Sequence, residues 1–223
     1  MTGVQTCALP IYEFLRQNGF SAKKGKIVDA SIVAVPKQRN TRDENKSIKN
    51  GDVPEDWNDN QKRQKDTDAR WMKKNGVNHF GYKNHIDIDV KHKLIRSYEV
   101  RPASVHDSNV FEELLDENNS SKDVWADSAY GSAEKRETLQ EDGYRSHIQR
   151  KGCRYKKLTQ PQIEANHKPS KTRSRVEHIL GIQKMRAGNL IIPTIGIARA
   201  KAKIGLRNLD RKSTRLNSSH TSI

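Results

Sequence analysis

The ten residues Lys26 to Val35 (KIVDASIVAV) constrain this chain more than any other stretch. Ile27, Val28, Ile32, Val33 and Val35 put β-branched apolar side chains on both faces of a short run that Pro36 closes. Such a run predicts a buried central strand, so the chain must build a sheet around it. Asp29 sits in its middle. An unpaired carboxylate there is costly, so Asp29 needs a cation, hydrogen-bond donors or a cleft that opens onto it. An edge position or a structural salt bridge is the alternative.

Before that strand, Tyr12 to Gly19 (YEFLRQNG) reads as the tail of a helix stopped at Gly19. After it, Lys37 to Asn75 (37–75) is polar and lacks a sustained apolar period, which predicts an insertion or mobile loop. Trp57 and Trp71 are its candidate anchors; Trp71, among Arg70, Lys73 and Lys74, is alternatively placed to stack on a nucleic-acid base. Val77 to Val90 and Leu94 to Arg101 predict a hairpin turning at Lys91-His92-Lys93, with Asp87 and Asp89 on a solvated face. Ser104 to Asp107 has capping-box spacing and predicts a helix carried by Val110, Phe111, Leu114 and Leu115, which gives Asp107 a structural role.

Lys122 to Ala129 is a short strand ending on Asp127, which is either a site residue at a strand's carboxyl end or the cap of the next turn. Ser132 to Asp142 reads as a helix stopped by Gly143, and Tyr144 to Gln149 as a last strand. Arg150 to Lys171, with Pro161 and Pro169, reads as basic and irregular, and Thr194 to Leu209 as a final basic amphipathic helix. This order predicts an α/β fold, a mixed sheet flanked by helices.

Arg173 to Lys184 (RSRVEHILGIQK) carries the most informative helical pattern. At about 100° per residue, Arg173, Glu177 and Lys184 share one polar edge, and Val176, Ile179, Leu180 and Gln183 form the neighbouring stripe that packs inward. Glu177 then stands beside the core. A surface Arg–Glu pair at helical spacing explains the same pattern without any site.

The chain ends call for separate treatment. Residues 1–11 (MTGVQTCALPI) and 210–223, which begin DRKSTRLNSSH, look like the two reading directions of one sequencing adapter, translated as if they were gene. That leaves 12–209 as one domain and Cys153 as the one cysteine with a native context, so neither a disulfide framework nor a zinc cluster is expected and a reducing, cytoplasmic setting fits. The chain has 42 Lys and Arg against 27 Asp and Glu, a net charge of +15 and a pI near 9.8. Asp210, Arg211, Lys212 and Arg215 are the formally charged residues of the two end segments, so the excess survives their removal. A polyanionic partner follows, and nucleic acid suits it better than a membrane, because no long apolar or basic amphipathic membrane helix is present.

In a mixed sheet of this order the first strand and the strand ending at Asp127 can lie side by side, and a helix crossing their ends brings Glu177 to Asp29 and Asp127. Three carboxylates in one cleft repel one another unless a divalent cation neutralises them. Mg²⁺ or Mn²⁺ suits oxygen ligands and phosphates, and two such ions about 4 Å apart would drive an in-line phosphodiester displacement.

IVDAS at 27–31, HFGYKNHIDID at 79–89, ASVHDS at 103–108, VWADSAYG at 124–131 and RVEH at 175–178 together resemble, in order, the catalytic domain of bacterial DDE transposases of the insertion-sequence-five group. The resemblance spans 12–209. It implies an RNase H-like fold, metal-binding and catalytic roles for Asp29, Asp127 and Glu177, and DNA contacts at or near transposon ends by Arg173 and Lys184. The family signature around the third acid also has a tyrosine, whose slot here holds Ser170. The implied activity is metal-dependent DNA cleavage and strand transfer on double-stranded transposon ends and target DNA, by a protein that acts as a homo-oligomer. The family's N-terminal DNA-end-binding region would precede Tyr12 and is not expected in this chain. Two other readings stay open: an RNase H-like nuclease without strand transfer, and an inactive basic DNA-binding fragment.

Overall fold

The structure, a computed structural model, describes residues 13–115, 118–153, 155–186 and 191–220, with backbone alone at 186 and 210–220. Strand β1 (Lys26–Ala34) lies at its centre. On one side it pairs antiparallel with β3 (Val77–Asp89), from Lys26 opposite Asp89 to Ala34 opposite Gly81. On the other it pairs parallel with β5 (Asp123–Ala126), Val28 opposite Ala126. The sheet runs β2 (Arg70–Lys74), β3, β1, β5, β6 (Arg145–Ser146), and β4 (Ile95–Pro102) hydrogen-bonds to β3. It is the mixed sheet expected from the element order, RNase H-like in its combination of an antiparallel β1–β3–β4 half with parallel β5 and β6. Gly81 is required where β3 passes β1: its φ is +148°, and a Cβ there would stand 2.2 Å from the Val33 carbonyl oxygen.

Helix α1 (residues 13–17) ends as its sequence predicts, with Gly19 at φ +80° and the Phe20 N–H returning to the Leu15 carbonyl. The alternation of β1 divides the core. Val28 packs with Val124, Ala126, Phe111, Leu114 and Leu139, the last from helix α4 (Ala133–Glu141). Ile27, on the opposite face, packs with Ile86, Ile88 and the Val176–Ile179–Leu180 stripe of helix α5 (Gln160–Arg186). Full burial of each of those α5 side chains contributes about 1.5–3 kcal/mol, enough to fix the rotation of the helix. Helix α6 (Ile197–His220) covers the far end through Ala200 and Ile204. A buried amide cluster, Asn208 with Asn84 and Gln183, ties α6 to β3 and α5.

Several expectations are corrected. The polar stretch 37–75 is structured: α2 (Arg42–Asn50) and α3 (Asp59–Gln64) precede β2, each opened by a capping box, Thr41 with Glu44 and Asn58 with Gln61. Trp57 is its buried anchor, while Trp71 stays 43% exposed against Phe80. Asp87 and Asp89 are fully buried, because β3 is paired along both edges and covered on both faces. The stretch after Ser104 forms two 3₁₀ turns, Asp107–Val110, capped by His106, and Glu112–Leu114, and Asp107 pairs with Lys83 at 2.8 Å. The irregular stretch 150–171 is helical from Gln160 onward, and α5 runs through Pro169.

Candidate active site

Parity along two strands aims the acids. Asp29 shares the face of Ile27, and Asp127, one residue beyond β5, shares the face of Trp125, which also packs toward α5. Because Val28 stands opposite Ala126, Asp29 and Asp127 leave neighbouring strands side by side on the α5 face. Each aspartate is pinned through Oδ1. The Ala30 N–H donates to Asp29 Oδ1 at 2.8 Å, and Ser128 donates to Asp127 Oδ1 from its N–H at 2.5 Å and from Oγ at 3.1 Å. Asp127 stands directly after β5 and caps the following 3₁₀ turn, Ser128–Tyr130, so the capping role is present.

The free oxygens meet Arg173. Its Nη1 lies 3.6 Å from Asp29 Oδ2 and 3.6 Å from Asp127 Oδ2, and its Nη2 donates to Glu177 Oε1 at 3.1 Å. The first two are ion pairs beyond hydrogen-bond length. The three acids named from the sequence thus converge on one guanidinium, itself 17% exposed. Exposure rises outward, from 17% for Asp29 through 44% for Asp127 to 59% for Glu177, so the site has a buried floor and an open rim. Burial raises the Asp29 carboxyl above the usual range; Arg173 and the Ala30 N–H oppose that rise, and the Asp127 charge adds to it. Lys184 lies exposed two turns beyond Glu177, in no ion pair with a described residue.

Tyr130 is the neighbour that sequence reasoning missed, placing it only at a turn. It is buried, its ring 5.2 Å from Phe111, and its hydroxyl has no hydrogen-bond partner among the described residues. Burial raises its pKa first of all, and the charges of Asp107, Asp29 and Asp127 raise it further. No spacing rule could have found it, because its place beside the acids depends on the β5 register.

Among the described residues, no three His, Cys, Asp or Glu side chains stand close enough, as placed, to hold a metal ion. The guanidinium fills the space between the acids. The donor set nonetheless fits a hard divalent cation: it is all carboxylate oxygen, and a cationic group already satisfies it.

A mixed sheet with an antiparallel half, parallel β5 and β6, and flanking helices gives the chain an RNase H-like fold. The Transposase DDE domain family matches residues 21–209. The chain is 32% identical over 213 residues to the transposase for insertion sequence element IS1106 of Neisseria meningitidis serogroup B, covering 91% of this chain and 70% of that protein. No solved structure matches it. The chain belongs to the DDE transposase family, whose members are DNA-cleaving enzymes that use divalent metal ions. No helix among the described residues is long and apolar enough to cross a membrane.

Proposed function

We propose that Asp29, Asp127 and Glu177 are the catalytic, metal-binding acids of this transposase, holding Mg²⁺ or Mn²⁺ as a pair of ions, and that Arg173 and Lys184 contact DNA phosphates at the ends of an insertion sequence. The observation that carries this reading is the convergence of three acids, distant along the chain, on the Arg173 guanidinium. Asp29, Asp127 and Glu177 would hold the ions, which would supply activation of a water or a DNA 3′-hydroxyl and charge stabilisation at the leaving oxygen. The chain's own part is positioning. Backbone donors fix one oxygen of each aspartate and leave the other facing the cleft, and α5 sets Glu177 at the rim where a phosphodiester enters. Arg173 carries the charge to grip a phosphate without reading sequence. The reaction includes joining of the cut end to target DNA, by a homo-oligomer working on the chromosome in the bacterial cytoplasm.

The test supplies the protein with Mg²⁺ and a duplex carrying the DNA that flanks its gene. Asp29→Asn, Asp127→Asn and Glu177→Gln each reduce cleavage and joining by at least about 100-fold, beyond the 10–100-fold typical of supporting residues. Melting in the presence of a chelator confirms that each variant folds. Near-normal cleavage by any one of them removes that acid from the site, and free ends without joined product would replace transposition by hydrolysis alone.

A further inference from the structure

The loop between β6 and α5 closes on itself. Cys153 and Lys156 exchange backbone hydrogen bonds at 3.0 and 3.2 Å. Asn166 of α5 clamps the start of the loop, accepting from the Arg150 N–H and donating to the Arg150 carbonyl, both at 2.9 Å. Between this loop and α4 lies a pocket of about 370 Å³, walled by Arg136, Arg150, Lys151, Lys156 and Lys157, with Cys153 at its edge. No acid is among its described lining residues. None of the five cations is in an ion pair with a described residue; Arg136 is half-buried and donates to the Ile148 and Gln149 carbonyls. Burial and the nearby charge of Arg150 lower the Arg136 pKa, as expected for cations crowded without a counter-ion.

A second hollow of about 310 Å³ shares Arg136 and Arg150 and continues along α5 past Asn166 to Pro169, one turn before Arg173. Asn166 and Arg173 are seven residues apart, about 10 Å along the helix. That is the axial rise of about three nucleotides at about 3.4 Å each. We infer that this pocket is a second DNA site, which holds backbone phosphates of the bound duplex about three nucleotides from the acid cluster. It goes beyond the catalytic proposal, because it needs neither metal nor the three acids.

The experiment measures binding of a duplex oligonucleotide to the full chain in a chelator, across a salt series. In Lys156→Gln/Lys157→Gln, both exposed positions, the slope of log K against log salt becomes shallower by about 2, one for each phosphate contact removed. An equally charged control, Lys46→Gln/Lys62→Gln, leaves the slope near that of the unaltered chain. Equal slopes for pocket variant and parent, or an equal loss in the control, overturn the proposal. Cys153 gives an independent reading in a Cys7→Ser background, where saturating duplex slows its alkylation several-fold. An unchanged alkylation rate also overturns it. Because the measurement is made in chelator, its outcome does not depend on whether the three acids are catalytic.

Discussion

Arg173 is asked to satisfy three carboxylates of unequal depth, and its removal separates two effects. The pair with Glu177, exposed at the rim, contributes about 0.3–0.5 kcal/mol. Asp29 is the greater concern, since its buried charge would lose its nearest cation. Arg173→Gln is expected to lower the stability of the metal-free chain by about 1–3 kcal/mol and to enlarge the stabilisation given by added Mg²⁺. Melting curves with and without Mg²⁺ check this, and an identical Mg²⁺ shift in parent and variant would contradict the idea that guanidinium and ion share the same carboxylates. Asp89 shows the limits of alternation as a guide. Ile–Asp–Ile–Asp reads as a half-solvated strand, yet Asp89 accepts from the His92 N–H at 2.6 Å, the Leu94 N–H at 3.1 Å and Arg96 Nε at 3.3 Å. A period of two reports that faces differ, not which solvent each meets. Asp89→Ala is expected to cost about 3–5 kcal/mol by denaturant titration, because it removes the buried carboxylate that Arg96 Nε and the turn N–H groups bond. His85, fully buried with neither ring nitrogen hydrogen-bonded to a described residue, has its pKa lowered to about 4. Burial is the main cause; Asp107 and Glu113 oppose it, while Lys83 and Arg101 reinforce it. The folded chain thus binds that proton less readily than the unfolded one, whose histidine titrates near 6.5. Its contribution is present above pH 6.5 and is lost as pH falls toward 4, on the order of 3 kcal/mol. His85→Gln should flatten this part of the stability profile, and an unaltered pH slope would refute the assignment.

At the scale of elements, what the sequence made legible was whatever rested on local periodicity. The inward stripe of α5, the central place of β1 and the strand-end position of Asp127 all follow from spacings of two or about 3.6 residues. Proline misled at 150–171. Pro161 stands in the first turn of α5, where its missing N–H has no partner to lose, and Pro169 is tolerated because the helix is held by packing beyond it. In 37–75 the apolar period is indeed absent, but the capping signals T-x-x-E and N-x-x-Q are present and start both helices. Glu44 makes that segment more than a pair of short helices. It accepts from the Thr41 N–H at 2.6 Å, from the Trp57 indole and from Lys65 at 3.3 Å, fastening α2 to the buried tryptophan and the chain after α3. Thr41→Ala should cost about 1 kcal/mol, the usual value of a cap. Glu44→Ala should cost more, about 2 kcal/mol, because a buried indole donor is left unmet as well. Denaturant midpoints that rank the two the other way would show that the tryptophan contact is incidental.

For the molecule as a whole, the excess of 15 positive charges sets the response to salt. The basic pocket beside α5 gathers five of the cations, with no acid among its described lining residues. Self-repulsion therefore opposes the compact state in the absence of DNA. Screening shortens from about 30 Å at 0.01 M salt to about 8 Å at 0.15 M, so added NaCl relieves more repulsion between distant cations than it removes attraction from close pairs. The DNA-free chain should consequently melt at a higher temperature as NaCl is raised through this range. Bound to saturating duplex it should start higher still, because a ligand of the folded state stabilises it by mass action, and then lose that margin as salt weakens the phosphate contacts. The two melting curves should converge from opposite directions. A DNA-free melting temperature that falls with salt would mean that close ion pairs, the Arg173 cluster foremost, outweigh the repulsion, and that the positive charge is spread too thinly to act as a DNA-binding field.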